Sequence, residues 1–135
     1  MTTHDEVAHA MAAAWSAAAS PWNPQALTAL YQNDAVFFGG RPGHSRGRRE
    51  ILAYFESYRG VIASCRLTLH DLAVLAIGSE VLLVQGFADM RFVLAGDKAS
   101  ASELRATWML AREVDGWRIK QHHFSPAPAA PPLGN

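Results

Sequence analysis

The sequence predicts an α+β fold in which helices come first and a run of antiparallel strands follows. Two observations carry this. Before Val61 the apolar residues recur at three- and four-residue spacing, and from Val61 onward the pattern changes to that of strands. Helices followed by strands, rather than alternating with them, make an α+β domain. The chain of 135 residues, 50% hydrophobic and 18% charged, is long enough to bury one sizeable core and too short for two.

Each element has its own signal. In MTTHDEVAHAMAAAWSAAAS, Val7, Met11, Trp15 and Ala18 fall at helical spacing behind a Thr/Asp-rich start able to cap a helix. Pro21 and Pro24 interrupt it, and a short second helix is expected through Gln25 to Tyr31. Asn33 and Asp34 mark a turn, and Ala35 to Phe38 read as a short strand. A loop dense in glycine and arginine, GGRPGHSRGR, leads into REILAYFESYR, where Ile51, Leu52, Phe55 and Tyr58 predict a third helix. Strand-rich segments 64–77, 80–95, 101–113 and 116–124 are separated by Gly78-Ser79, Gly96-Asp97 and Asp115-Gly116, the signature of a meander. One domain over 1–125 and an extended, mobile Pro/Ala-rich tail over 126–135 complete the expected organisation.

Within 80–95 both faces are largely apolar: Val81, Leu83, Phe87 and Val93 on one, Leu82, Val84, Ala88, Met90 and Phe92 on the other. A sheet wetted on one side would alternate cleanly, so the sheet is expected to be covered twice, by its own helices and by a second copy in a homodimer.

Charge excludes some functions. Twelve Lys+Arg balance twelve Asp+Glu, without the basic footprint of a nucleic-acid binder. The single Cys65 permits no internal disulfide, and the start of the chain lacks a basic, apolar leader, so a cytoplasmic protein is expected. No apolar run reaches the length of a membrane span.

Candidate chemistry concentrates late in the chain. His122 and His123 are adjacent on the last strand and point oppositely unless a bulge intervenes. Strict alternation puts His123 with Trp117, Ile119 and Gln121 on the inner face and His122 outside with Arg118 and Lys120. An inward His123 would be either a general acid or base or a buried histidine satisfied by a carbonyl. Asp89 and Arg91 stand two apart and share a face, either as a carboxylate-binding or water-orienting pair at a pocket or as a surface ion pair. Trp15, Trp22, Phe38, Tyr54, Phe55, Tyr58, Phe87 and Trp108 supply an interior able to line a cavity, although aromatics at core spacing are core first. His44, in the Arg/Gly loop, is placed to close over a ligand.

A metal site is not expected. His4 and His9 are five apart on a helix, and His70 and His123 lie three strand spacings apart, roughly 14 Å. No Gly-rich nucleotide fingerprint is present, so no cofactor is expected.

Three stretches carry a resemblance: ALYQNDAVFF at 29–38, GRREILAYF at 47–55, and the ending DGWRIKQHHFSPAPAAP. Together with the helix-first, meander-last order, they resemble the nuclear transport factor 2-like superfamily, and within it the SnoaL-like group, including the SgcJ/EcaC family and the association domain of calcium/calmodulin-dependent protein kinase II. That resemblance implies a cone-shaped fold enclosing a pocket. It implies several possible jobs, because relatives include steroid isomerases, polyketide cyclases, scytalone dehydratase, limonene epoxide hydrolase and non-catalytic association modules. Tyr31 and Asp34 are similar to a tyrosine and aspartate of scytalone dehydratase, with core packing and turn capping as the alternative. Arg91 and Asp89 resemble the strand pair of limonene epoxide hydrolase, whose second aspartate is replaced here by His123 or Gln121. Arg91 also falls near a pocket arginine of the kinase association domain. Where steroid isomerases place a general-base carboxylate, this chain has Phe37, Phe38, Gly39 and Gly40, which disfavours that chemistry.

The expectation is therefore a protein that binds a small, mostly apolar molecule with one polar or anionic group through Arg91 and His123. If it is an enzyme, a cyclase, dehydratase or isomerase without a cofactor fits, with proton transfer by His123 and charge stabilisation by Arg91. The rival expectation is a non-catalytic association module.

Overall fold

A computed structural model describes residues 2–134. Three helices precede the long strands: α1 (His4–Ala18), α2 (Pro24–Thr28) and α3 (Gly47–Glu56), with β1 (Tyr31–Phe38) and β2 (Ser45–Arg46) between the last two. The meander follows as β3 (Ile62–Ile77), β4 (Val81–Leu94), β5 (Lys98–Glu113) and β6 (Gly116–Pro126). The six strands form one sheet in the order β2-β1-β6-β5-β4-β3. All neighbours are antiparallel except β1 and β6, so the sheet is mixed rather than wholly antiparallel.

Local chemistry explains the helix starts. Thr3 and Glu6 form a reciprocal capping box at α1, the Glu6 N–H donating to Thr3 Oγ1 at 3.1 Å and the Thr3 N–H to Glu6 Oε1 at 3.3 Å. Asn23 caps α2 through Ala26 N–H, with Pro24 at the first helical position. The second helix is shorter than expected, because Ala29 and Leu30 turn out of it and Tyr31 starts β1. Asn33 and Asp34 lie exposed inside β1 rather than in a turn before it. The strand tolerates them because its pairing with β6 slips between Tyr31 and Val36.

The helices cover one face of the sheet. Met11 and Trp15 of α1, Leu27 of α2, and Ile51 and Phe55 of α3 are buried against Cys65 and Leu67 of β3, Leu82, Val84, Ala88 and Met90 of β4, Ala106, Trp108 and Leu110 of β5, and Ile119 and Phe124 of β6. Burial of a side chain as large as Phe55 contributes about 2 to 3 kcal/mol, so this layer dominates the stability. Ser16 ties α1 to β3: its Oγ donates to Leu67 O at 3.0 Å and accepts from Leu67 N–H at 2.8 Å.

Bulges set which residues face inward: besides one at Ala63, at the start of β3, two lie deeper in the sheet. On β3, Asp71 and Leu72 oppose the single residue Gly86. On β6, Ile119 pairs with Leu110 and Gln121 with Met109, so Lys120 is the extra residue. That second bulge reverses the parity of the strand: Ile119 is buried before it, and His122 and Phe124 are buried after it. His122 is therefore inside, at 0% exposure, and His123 outside, the reverse of strict alternation.

Candidate functional site

At the end of the core bounded by α3 and the β1–β2 loop lies a cavity of about 100 Å³. Its walls are aromatic and aliphatic: Trp15, Trp22, Phe37, Tyr54, Phe55, Tyr58, Ile62, Met90, Phe92, Leu104 and Phe124, with Gly40 at the edge. Close packing places the rings. Tyr54 stands edge-on to Phe37 at 4.7 Å between centroids and accepts a hydrogen bond from Gly40 N–H at 2.9 Å. Its ring lies so close to Gly39 that a Cβ there would come within 2.3 Å, which is why the chain needs glycine at this point. Burial holds the Tyr54 hydroxyl well above the usual phenol pKa, so it stays a neutral donor or acceptor.

The loop beside the cavity is latched. Arg41 Nε donates to Ser57 Oγ at 2.9 Å, a second guanidinium nitrogen donates to Ser57 O at 3.0 Å, and the guanidinium covers the Tyr58 ring at 4.3 Å. His44 stacks on Phe38 at 4.4 Å and does not enter the cavity.

Behind the cavity wall runs a buried polar chain. The indole N–H of Trp15 donates to Tyr31 Oη at 3.2 Å, and Tyr31 Oη lies 2.7 Å from His122 Nδ1. An indole only donates, so the Tyr31 proton is free to go to Nδ1, its one acceptor among the described residues. Burial, with the neighbouring His123 adding to it, pushes the His122 pKa well below its ordinary value, so the imidazole is neutral. A neutral ring accepting at Nδ1 carries its proton on Nε2. That Nε2–H, and the Nε1–H of Trp108 whose ring meets His122 at 5.5 Å, are buried without a partner among the described residues. Phe37 and Phe124 pack on the imidazole at 4.6 and 3.9 Å, and both also wall the cavity.

The candidates read from the sequence divide between the interior and the outer face. Trp15, Tyr31, Tyr54, Tyr58 and Trp108 are in or beside the interior. Asp89 and Arg91 are on the opposite face of β4, because the inward positions of that strand are Leu82, Val84, Ala88 and Met90. Phe87 shares that outer face and stacks on His70 at 5.6 Å. Gln121 and His123 lie on the outer side of β6 past the bulge, and His123 meets the half-exposed Phe38 at 5.3 Å. Asp34 is exposed and faces Lys120 at 3.8 Å. Cys65 is buried and its thiol is pushed up to about 12, too high for a nucleophile.

The outer face also holds a cluster the histidine spacing did not suggest. His70 Nε2 lies 3.1 Å from Glu103 Oε2 and 3.5 Å from Asp89 Oδ1, and the donor atoms of all three residues fall within 4.8 Å of one another. Three adjacent strands in register bring them together: Asp89 pairs with Glu103, and His70 sits one row over. These are the described residues able to hold a metal ion, and all are solvent-accessible ion-pairing groups.

With this geometry in view, comparison defines the class. A family model described as a SnoaL-like domain matches residues 8–130, so the chain belongs to that family. Its fold is that of the nuclear transport factor 2-like proteins. A structure from Xanthomonas campestris, described provisionally as a calcium/calmodulin-dependent protein kinase II association domain, is 21% identical with a TM-score of 0.83, over 93% of this chain and 89% of that one. A nuclear transport factor 2-like protein from Salmonella enterica is 18% identical with a TM-score of 0.77, covering 98% of this chain and 97% of its own. One from Streptomyces avermitilis, described provisionally as a dehydratase, is 18% identical with a TM-score of 0.77, covering 93% and 97%. No curated protein matches the chain. No helix among the described residues is long and apolar enough to cross a membrane.

Proposed function

We propose that the chain binds a small, mostly apolar molecule carrying one hydrogen-bond acceptor, such as a carbonyl, in the aromatic cavity, with His122 Nε2–H as the donor. The observation that carries this reading is the buried, unpartnered Nε2–H beside the cavity wall. A buried donor left unsatisfied costs about 1 to 3 kcal/mol, and an acceptor reaching it recovers that cost. As the rings stand, Phe37 or Phe124 must turn aside for the contact to form. The volume of about 100 Å³ is below the ~150 Å³ of an apolar cavity that takes benzene, so a one-ring guest is the upper limit and needs the space that Phe37 or Phe124 vacates. The SnoaL-like fold supports a ligand-binding or an isomerase- or dehydratase-type role.

Catalysis by this site would use His122 as a neutral electrophile that polarises a carbonyl. Among the described residues, the cavity walls supply no carboxylate, lysine or arginine to act as the base. Tyr31 is a poor one too, because burial raises its pKa and opposes loss of its proton. Binding therefore stands before catalysis in this reading. Titration with acetophenone and its carbonyl-free counterpart ethylbenzene tests it, followed by tryptophan fluorescence and thermal shift. The expected result is saturable binding with acetophenone preferred about fivefold or more, a preference lost in His122→Phe. Equal affinity for the two, or no saturable binding, would overturn the reading.

A second reading, homodimerisation through the outer face of the sheet, is favoured by Leu75, Ile77 and Val93, which are 58%, 50% and 37% exposed. Leu75, Leu83 and Met109 line up across three strands to make the patch continuous. Sedimentation of wild type against Leu75→Arg measures it: a dimer that becomes a monomer supports the interface, and a wild-type monomer removes it.

A further inference from the structure

A second hollow, of about 760 Å³, opens at the opposite end of the strands, between the N-terminal half of α1 and the β3–β4 and β5–β6 turns. Its chemistry differs from that of the cavity. The inward row of β5 runs through Ala106, Trp108 and Leu110, all buried, and continues at the rim of the sheet with Arg112, which is solvent-exposed. The Arg112 guanidinium lies 5.9 Å from the ring of Trp117. It has no carboxylate partner among the described residues. Asp115, the one carboxylate lining the groove among the described residues, is held by Arg118 at 2.9 Å. The groove thus presents one uncompensated guanidinium above an apolar floor that includes Met11 and Leu82. Along α1 its wall is Ala10 and Ala14, exposed positions whose small side chains leave the space open.

We propose that this groove is a second binding site, for a small amphipathic monoanion: a carboxylate on an apolar chain or ring. A guanidinium matches a carboxylate with two parallel hydrogen bonds, and the aromatic ring beside it fixes its position. Among the described residues one unpaired guanidinium lines the groove, which suits a single negative charge, and the apolar floor takes the body of the molecule. A groove of this volume is in the range that holds drug-sized ligands.

Calorimetric titration of the full chain with octanoate tests the assignment, with octan-1-ol and octylamine as probes of equal length and different charge. One-to-one octanoate binding is expected, at least about tenfold tighter than octanol, with octylamine weaker still. Arg112→Gln should abolish the preference for octanoate over octanol. Ala14→Trp should block all three probes by filling the groove, while leaving the helical circular dichroism of α1 intact, since Ala14 is not among its buried residues. Saturating acetophenone should not displace octanoate, which separates this site from the aromatic cavity whether or not the cavity reading holds. Octanoate binding that survives Ala14→Trp, ignores Arg112→Gln, or is displaced by acetophenone would overturn the proposal, as would the absence of saturable binding.

Discussion

His122 Nδ1 lies 2.7 Å from the hydroxyl of Tyr31, and this contact joins the parallel strand pair to the helical layer through Trp15. Tyr31 is the hub, since it accepts from one buried ring and donates to another. In Tyr31→Phe both the Trp15 Nε1–H and the His122 Nδ1 lose their partner inside the core. At about 1 to 3 kcal/mol per unsatisfied buried group, the substitution should cost about 2 to 6 kcal/mol in urea unfolding. In a double-mutant cycle with His122→Phe the two losses should be clearly less than additive. Additivity would mean that the hydroxyl and imidazole do not interact.

The pH dependence of stability follows from His122. Its folded-state pKa is lowered, by burial first, whereas the unfolded chain titrates near 6.5. Between those two values the unfolded state binds a proton that the folded state does not, so stability falls as the pH drops below about 6.5 and is insensitive to this group above it. The slope contributed by one proton approaches about 1.4 kcal/mol per pH unit. Unfolding measured from pH 7.5 to 5 should show that slope in the wild type, and a slope reduced by that amount in His122→Asn. Parallel curves for the two proteins would contradict the buried, neutral imidazole.

Helix positions, the β3–β6 meander and its three turns were legible because each rests on local periodicity and turn chemistry, whereas the turn read at Asn33 and Asp34 falls inside β1. The parallel pairing of β1 with β6 was not, since it depends on a long-range contact such as the Ile119 N–H donating to Leu30 O at 2.8 Å. Nor was the site, because one inserted residue reverses every side chain beyond it. The signal was nevertheless present: Trp117 and Ile119 are apolar at odd positions, Phe124 is apolar at an even one, and Gln121, His123 and Ser125 are polar at odd positions between and after them. An apolar set that changes parity within one strand implies a bulge. Asp89 and Arg91 were left between a pocket pair and a surface ion pair because their shared face is readable but the side it looks toward is not. Both faces of β4 are apolar, so hydrophobicity could not say which one the helices cover.

The bulge itself makes an unusual prediction. Deleting Lys120 removes the extra residue, and a regular strand through Trp117, Ile119, His122 and Phe124 then keeps all four inward. Deleting Arg118 instead keeps the bulge but reverses the phase between Trp117 and Ile119. The Lys120 deletion should therefore fold with a loss of about 1 to 3 kcal/mol, while the Arg118 deletion should be markedly worse. Near-ultraviolet circular dichroism of the buried Trp108 and Tyr31 reports whether the core is retained. If both deletions unfold the protein alike, the parity account of β6 is wrong.

The bulge on β3 predicts the opposite sensitivity, to the addition of a single methyl. A Cβ on Gly86 would stand 2.7 Å from Leu72 Cδ2, 2.8 Å from the Asp71 carbonyl oxygen and 3.0 Å from that of His70, and the two oxygens are backbone atoms that cannot swing away. Gly86→Ala should then cost about 1 to 3 kcal/mol through overpacking, although alanine ordinarily suits a strand at least as well as glycine. At Asp71 the strain runs the other way, because its φ of 53° lies in the left-handed region. Asp71→Gly relieves that strain and should be neutral to stabilising, even though glycine is entropically costly in a strand. Thermal unfolding of the two single variants side by side checks the pair of signs. A tolerated Gly86→Ala combined with a destabilised Asp71→Gly would show that β3 and β4 pair here without the bulge.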